Sequence, residues 1–282
     1  MTYTFFSILA LVGMQSHSIC LLLSTEQNQV SSGEPVIVEI RLLNKSQGSY
    51  ILSGKRDLRL YVTAPNGNEH RLLGTSLVRG GLQFYTALEL EPGESGSYRI
   101  AISEWYMFEE IGHYRIAAEV PEASMGTKYK RSNVIALQVL AYDHDRLKQR
   151  AREILSGAIA RSSHQWGELS ALALSLILDP LAVPMLEDLL QESNLPYRSI
   201  VADGLVRQGS LDAVDVLTRN LGYFGEGEEG QLFDELLYRS LRQIAYPSVS
   251  RWLIVRRSPD PAASDRAKEI VDQADRGYMT ID

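Results

Sequence analysis

The sequence has 282 residues, of which 45% are hydrophobic and 22% are charged, and these values are typical of a folded globular protein. The formal net charge is −7, and residues 143–282 carry 16 basic and 22 acidic side chains, against 12 and 13 in residues 1–142. An acidic surface repels the phosphate backbone, so the composition argues against a nucleic-acid-binding protein and slightly favours a cationic partner.

The N-terminal segment has features of a secretory signal. Phe5–Met14 is an apolar run, and small residues stand at Ser16 and Ser18. This pattern predicts a signal peptide over residues 1–18 and export to the periplasm or the extracellular space. The segment before Phe5 has no Lys or Arg, so a buried N-terminal extension stays open as the alternative. The apolar run is too short to span a bilayer as a helix, and we expect no integral membrane segment.

Cys20 is the only cysteine of the chain. A single cysteine excludes an intrachain disulfide and a metal site built from several cysteines. We expect Cys20 to lie as a small buried residue in the first strand.

Residues 19–142 alternate short runs of β-branched and aromatic residues with Gly, Pro, Asn and Ser turns, which is the pattern of an antiparallel β-sandwich. Val36, Val38, Ile40 and Leu42 lie at alternate positions and predict one inward-facing side of a strand. The Asn-Gly pair at residues 65–68 predicts a hairpin turn. About eight strands are expected, near residues 21–27, 36–43, 58–63, 72–73, 88–90, 98–102, 114–120 and 134–140, with the last two paired as a terminal hairpin.

Two segments carry a recognisable resemblance. Leu88–Val120 contains a Leu-x-Pro-Gly-Glu turn, a Trp-Tyr segment and Gly-x-Tyr, and with Ser31–Asn44 it resembles the immunoglobulin-like domains of secreted bacterial proteins. The resemblance implies an immunoglobulin-like β-sandwich over residues 19–142, with Gly112 and Tyr114 forming a tyrosine corner. Such domains occur beside secreted metallopeptidases, but the zinc motif His-Glu-x-x-His is absent from this sequence, so the resemblance does not imply peptidase activity.

An aromatic group in the same segment has two interpretations. Trp105, Tyr106, Phe108 and Tyr114 are able to form an exposed platform for a sugar or a peptide, because aromatic rings offer a large contact area at low entropic cost. Alternatively, these four residues belong to the core and the corner of the sandwich. Exposure of Trp105 and Tyr106 on one flat face would favour the first interpretation.

Beyond Leu140 the hydrophobic period changes from two to about 3.6, which predicts helices and a domain boundary near Tyr142. The second domain, residues 143–282, follows with almost no linker, so we expect the two domains to be docked against each other. Helices are predicted near residues 145–161, 165–178, 181–192, 197–208, 211–222, 231–245, 247–257 and 262–275.

The helical domain contains an internal repeat. Six apolar positions recur 31 residues later, and a weaker third copy follows; the first set is Ala171, Leu174, Ala182, Val183, Leu186 and Leu190. The helix pair that includes Asp179–Leu190 resembles a HEAT repeat. The resemblance implies a HEAT- or armadillo-like α-solenoid whose first and last helices act as caps.

In the HEAT arrangement, the second helix of each pair lines the concave surface. The polar positions of these helices are therefore candidate partner-binding residues, and the alternative is a merely solvated face. The candidates are Glu187, Gln191, Asp215, Thr218, Arg219, Arg256 and Arg257.

Patterns that would indicate chemistry are weak. Gly225, Gly227 and Gly230 spell the dinucleotide fingerprint, but Glu residues fill the gaps and a helix is predicted before it, so we expect no cofactor. Asp143–Asp145 is better explained by helix capping than by a metal site. We predict no catalytic residue, no metal site and no enzyme.

The sequence therefore favours a non-catalytic protein–protein interaction or scaffolding protein, which binds a protein or peptide through its helical repeats. The alternative is an immunoglobulin-like ligand-binding or peptidase-inhibitory module that recognises a glycan or a secreted enzyme.

Overall fold

The computed structural model describes residues 19–53, 57–73, 87–123, 127–160, 164–192, 197–223, 227–247 and 259–276. Within these residues, all strands precede all α-helices, as the sequence predicts. The strands are β1 (Ile19–Thr25), β2 (Gln29–Ser31), β3 (Ile37–Asn44), β4 (Tyr50–Leu52), β5 (Arg59–Thr63), β6 (Glu69–Leu73), β7 (Leu88–Leu90), β8 (Ser95–Ala101), β9 (Gly112–Pro121), β10 (Tyr129–Arg131) and β11 (Ile135–Leu140). The helices are α1 (His144–Ala160), α2 (His164–Ser175), α3 (Val183–Gln191), α4 (Arg198–Gln208), α5 (Leu211–Arg219), α6 (Glu228–Ala245) and α7 (Pro261–Asp275).

Three predictions fall on other residues. The signal peptide over 1–18, nearly all of the helix at 247–257 and the candidates Arg256 and Arg257 lie outside the described residues.

The strands form one sheet of three, one sheet of six and a separate pair. The first has the order β1-β3-β8, and the second has the order β2-β11-β9-β5-β6, with β10 also paired to β9. All pairings are antiparallel except that of β2 with β11, and β4 pairs with β7. Buried side chains from all three sheets belong to one hydrophobic core. The expected pairing of the last two predicted strands is confirmed, since β9 pairs with β11, but they do not form a simple hairpin because β10 lies between them along the chain and also pairs with β9.

The side chains of β3 alternate between buried and more exposed positions, and the buried side is the one that the sequence predicts. Val38, Ile40 and Leu42 are buried, whereas Arg41 between them is exposed. The hairpin of β5 and β6 is confirmed as well, with the backbone N–H of Ala64 donating to the carbonyl oxygen of Asn68 and a positive φ of 86° at Gly67. Sequence analysis missed β2, β4 and β10, because three residues are too few to show a period of two.

The tyrosine corner is present. The hydroxyl of Tyr114 donates to the carbonyl oxygen of Glu110 at 2.9 Å, and burial raises the pKa of this tyrosine to about 12. Gly112 has a φ of 145°, and a Cβ atom there would come within 2.9 Å of Pro65. Only glycine therefore fits this position without strain.

Two helices begin at the expected kind of capping residue, and two predicted helix starts need correction. Asp143 caps α1, since its carboxylate accepts from the backbone N–H of Arg146 at 3.1 Å, and the hydroxyl of Ser210 caps α5. Helix α6 begins at Glu228, three residues before the prediction, because acidic residues are favourable in the first turn of a helix. The α-helix predicted to start at residue 181 begins two residues later, at Val183, because Pro180–Ala182 form a 3-10 turn before α3.

The helices pack in two rows. α2 contacts α4 and α4 contacts α6, while α3 contacts α5 and α5 contacts α7. Positions related by the 31-residue offset are equivalent in burial, since Leu174 and Leu205 are both fully buried, as are Leu186 and Leu217. α4 approaches α2 closely at Gly204, where a Cβ atom would lie 2.7 Å from the Ser175 side chain.

The strands of residues 19–140, which we call the β part, and the helices of residues 144–275, which we call the helical part, meet at a polar junction. Glu34 lies in the turn after β2, and its side chain is 1% exposed. Its Oε1 atom accepts from Arg146 Nε of α1 at 2.7 Å and from the backbone N–H of Ser31 at 3.0 Å. Arg146 also donates to the carbonyl oxygen of Gln29 at 2.6 Å. A buried carboxylate is thus held by an arginine from the other part of the chain.

Apolar contacts extend this junction. Leu169 and Leu172 of α2 form a small cluster with Ala101 of β8, and Ile37 of β3 packs against it. Leu147 of α1 is fully buried. The short connection between β11 and α1 therefore joins two parts that contact each other through both charged and apolar groups.

Candidate functional site

The candidate partner-binding residues within the described chain lie on two neighbouring helices. Glu187 and Gln191 belong to α3, and Asp215, Thr218 and Arg219 belong to α5. α3 and α5 contact each other, so the structure brings the five residues onto one surface, which we call the α3–α5 face.

A bidentate ion pair crosses this face. Arg219 Nε and Nη2 donate to the two carboxylate oxygens of Glu187, each at 2.5 Å. The Arg219 guanidinium holds the pKa of the Glu187 carboxyl below its usual value. The Glu187 side chain is 17% exposed and that of Arg219 is 56% exposed. The two charges neutralise each other and fix both side chains in place.

Buried polar groups support the pair from below. Asn220, which is 1% exposed, donates from Nδ2 to Glu187 Oε1 at 3.3 Å and accepts from Gln191 Nε2 at 3.1 Å. Thr218 donates its hydroxyl to the carbonyl oxygen of Val214. Gln191 therefore links α3 to the end of α5, Thr218 bonds within α5, and both side chains are only half-exposed.

Among the residues that the structure describes, the remaining charge of the face is negative. Asp215 is exposed, and Asp212 shares its side of α5, because residues three apart are neighbours on a helix. Neither carboxylate forms an ion pair with any residue that the structure describes. Sequence analysis missed Asp212, although the spacing of Asp212, Asp215 and Arg219 would have placed all three on one side.

The aromatic group does not form a platform. Phe108 and Tyr114 are buried, and Trp105 and Tyr106 are half-buried and pack against the β core. The Tyr106 ring meets those of Phe108 and Tyr114 edge-on, with ring centroids 5.0 and 6.1 Å apart. Phe108 and Tyr114 therefore belong to the core, and Trp105 and Tyr106 lie at its edge with only part of their surface exposed.

The weak chemical motifs have structural roles where the structure describes them. Gly227 is the N-cap of α6 and Gly230 lies within that helix, but the element described before them is helix α5 and not a strand; Gly225 lies outside the described residues. Asp143 is a helix cap. Among the described residues, no group of three or more His, Cys, Asp or Glu side chains is placed to hold a metal ion. Cys20 lies in the first strand as the sequence predicts, but it is half-buried and not buried, because its side chain alternates with the inward-facing Ile19 and Leu21.

A second charged surface was missed by sequence analysis. The outward positions of β5, β6, β9 and β10 carry four arginines, Arg59, Arg71, Arg115 and Arg131, and two glutamates, Glu69 and Glu119. We call this surface the sheet face. The signal was present in the sequence as arginines at alternate positions of separate strands, but only the strand register shows that they are neighbours.

Two tyrosines contact the charged side chains of the sheet face. The Arg59 guanidinium lies 3.2 Å from the centre of the Tyr129 ring, and that of Arg131 lies 4.8 Å from the Tyr61 ring. The Tyr61 hydroxyl donates to Glu119 at 2.7 Å, and Arg131 pairs with Glu69 at 3.3 Å. The face thus carries more positive than negative charge, although the protein as a whole is acidic.

Within the described part of the chain, no helix has the length and apolar character needed to cross a membrane.

Comparisons with known proteins give weak likenesses. No family model matches the chain, and no curated protein matches it. A CARDB domain from Pyrococcus furiosus in complex with di-metal ions is 13% identical with a TM-score of 0.28, over 45% of this chain and 94% of that chain. A β-glucosidase from Listeria innocua in complex with isofagomine is 17% identical with a TM-score of 0.27, over 44% of this chain and 16% of that chain. The chain therefore spans less than a fifth of that β-glucosidase, and similarity at these values identifies neither a family nor an activity.

Proposed function

We propose that this protein is a non-catalytic interaction or scaffolding protein, which binds a cationic segment of a protein or peptide on the α3–α5 face. The observation that carries the proposal is the pair of exposed aspartates, Asp212 and Asp215, beside the Glu187–Arg219 ion pair. Because the ion pair is locked by Asn220, the face is ordered before a partner arrives, which lowers the entropic cost of binding. The two aspartates, which form no ion pair with a described residue, then attract Lys or Arg side chains.

The proposal includes an architecture. The β part is an immunoglobulin-like β-sandwich, a reading supported by its shared core and its tyrosine corner. The helical part is a HEAT-like solenoid, a reading supported by the two helix rows and by equivalent burial at the 31-residue offset. In such a stack each pair contacts its neighbours, and successive second helices present one extended surface.

The proposal also places the protein outside the cytoplasm, on the strength of the signal-like residues 1–18. Sequencing of the mature N-terminus from the native host is the test. A chain that begins within a few residues of Ile19 supports export, whereas a chain that keeps Met1 and stays in the cytoplasm contradicts it.

The binding function is tested with a labelled peptide of alternating Lys and Ser residues. We expect the wild-type chain to bind this peptide at low ionic strength. The variant Asp212→Lys with Asp215→Lys should bind it at least about tenfold more weakly, because two attractive charges become repulsive. The matched control is Glu89→Lys with Glu91→Lys, which makes the same change in net charge on exposed residues of the β part.

Equal weakening in both variants would show that only net charge matters and would contradict a specific face. A partner captured from the cell envelope by the wild type and the control, but not by the aspartate variant, would identify the natural ligand of the α3–α5 face.

A further inference from the structure

The sheet face has a shallow cavity at its centre. Ala117 of β9 lies opposite Tyr61 of β5 in the sheet register, and its methyl group is the smallest side chain of the cavity lining. Larger side chains, among them Arg115 and Arg131, surround it and enclose a cavity of about 90 Å³. The cavity floor is therefore apolar, and two guanidinium groups line its wall.

The arginines differ in how far they are already engaged. Arg131 is stacked on Tyr61 and paired with Glu69, and Arg59 is stacked on Tyr129. Arg71 and Arg115 are exposed, and neither forms an ion pair with a described residue. Stacking of a guanidinium on an aromatic ring leaves its N–H edge available to a carboxylate or phosphate. Two arginines are thus held in place, and two others have no ion-pair partner among the described residues.

We infer that the sheet face is a second binding surface, separate from the α3–α5 face, and that it takes an extended acidic polypeptide segment of a partner protein. The excess of arginine over glutamate selects a negatively charged ligand. Arginine also forms bidentate hydrogen bonds with carboxylates, which gives direction to the contact.

The arginines of the sheet face lie on four different strands, one on each. Arg71 of β6 and Arg115 of β9 are separated by β5, so a ligand that contacts both spans about 10 Å across the strands. An extended peptide presents its alternate side chains about 7 Å apart, so a peptide with carboxylates at alternate positions offers more than one of them over that span. One carboxylate group is small enough for the cavity above Ala117.

The two glutamates make the charge of the face uneven. Glu69 lines the cavity, and Glu119 lies on the same face. An anionic group is repelled where it lies beside these carboxylates and attracted where it lies beside an arginine. A peptide whose carboxylates alternate with neutral residues is able to place neutral residues beside the glutamates, whereas a uniform polyanion places charge beside both, so the peptide suits this mixed pattern better.

The test measures binding of a fluorescent peptide of alternating Glu and Ser residues to the full chain. We expect salt-sensitive binding by the wild type and at least about tenfold weaker binding by Arg71→Glu with Arg115→Glu. The matched control is Lys148→Glu with Arg239→Glu, which changes the net charge equally at exposed residues of α1 and α6 and leaves binding within about twofold of wild type.

A second variant tests the cavity without a change of charge. Ala117→Leu replaces the methyl group by an isobutyl group and fills the space above β9. We expect it to weaken peptide binding while circular dichroism and the unfolding midpoint show that the chain still folds. If Ala117→Leu does not fold, the arginine variant decides alone, because Arg71 and Arg115 are exposed and make no ion pair with a described residue.

Other ligands separate the alternatives. Tripolyphosphate, heparin and vesicles of phosphatidylglycerol are measured beside the peptide. Tighter binding of any of these three than of the peptide, no peptide binding at low salt, or equal loss in the control variant overturns the inference. A further outcome also overturns the inference. If the wild type self-associates in a salt-dependent way and the variant Arg71→Glu with Arg115→Glu does not, the face is occupied by a second copy of the chain.

Discussion

The β part and the helical part present opposite charges on surfaces of different construction. The sheet face is built by cross-strand register, which brings arginines from four strands together and stacks two of them on tyrosines. The α3–α5 face is built by two helices, and one ion pair between them leaves a surplus of aspartates. The net charge of −7 hides this division. Charge averaged over a chain is therefore a poor guide to the partner of any one surface.

The junction between the two parts is of a third kind. In its central ion pair the Glu34 side chain is 1% exposed. In the ion pairs of the two faces, the side chains of Arg219 and Arg131 are about half exposed. Desolvation makes an unpaired buried charge costly, while solvent screens an exposed pair. We therefore expect junction residues to govern stability and face residues to govern binding.

The largest effect is expected at the junction. Arg146→Met removes the partner of Glu34 and leaves a buried carboxylate uncompensated, so it lowers the free energy of unfolding by about 2 kcal/mol, the cost of a buried polar group left unsatisfied. Urea denaturation followed by circular dichroism measures this change. Arg152→Met, on the exposed side of the same helix, is the control and changes stability by less than about 0.5 kcal/mol.

A double variant sharpens this result. Glu34→Gln with Arg146→Met removes the uncompensated charge and recovers part of the lost stability. Equal stability of Arg146→Met and Arg152→Met would show that the Glu34–Arg146 contact does not hold the two parts together.

An intermediate effect is expected on acidification. The Arg99 guanidinium lowers the pKa of the Glu26 carboxyl, and hydrogen bonding to Arg41 lowers that of Glu39. A carboxyl whose folded pKa is depressed adds stability above its unfolded pKa and loses it as the pH falls through the folded value. The urea midpoint should therefore fall as the pH is lowered below about 4.5.

Glu26→Gln tests the origin of this fall. Glu26 also contacts Arg150 of α1 at 3.5 Å, so it belongs to the junction. The variant should be less stable than wild type at neutral pH and should lose less stability on acidification. The same loss in both proteins would show that Glu26 takes no part.

The smallest effect on stability is expected at the α3–α5 face. Arg219→Ala breaks a well-formed ion pair, but its guanidinium is more than half exposed, so we expect a loss of only about 0.5–1 kcal/mol. Thermal denaturation at low and at high salt measures it, and the difference from wild type should shrink as salt screens the pair. A loss as large as that of Arg146→Met would remove the distinction between junction and face.

The sequence predicts local features well where a short-range rule applies. The alternation in β3, the Asn-Gly hairpin, the tyrosine corner at Tyr114 and the caps of α1 follow from periodicity and turn chemistry. The ends of the seven α-helices that the structure describes are predicted to within a few residues, because their apolar faces repeat over several turns. The expectation that the two domains are docked, drawn from the short linker, agrees with the Glu34–Arg146 contact.

Long-range features could not be predicted in the same way. The sheet face depends on which strand lies beside which, and the order β11-β9-β5-β6 does not follow the chain. Glu34 lies in a Ser-Gly-Glu-Pro turn that predicts exposure, yet α1 covers it and its side chain is 1% exposed. On the α3–α5 face, the sequence indicated Glu187 and Arg219 as outward residues, but not that they bind each other across the repeat.

The central claim is that the two parts carry two separate binding surfaces of opposite charge. It is tested by measuring the Lys-Ser peptide and the Glu-Ser peptide, each alone, against the wild type, the Asp212→Lys with Asp215→Lys variant and the Arg71→Glu with Arg115→Glu variant. We predict that the aspartate variant loses only the Lys-Ser peptide and the arginine variant loses only the Glu-Ser peptide. Loss of both peptides in either variant, or of neither in both, would contradict two independent faces.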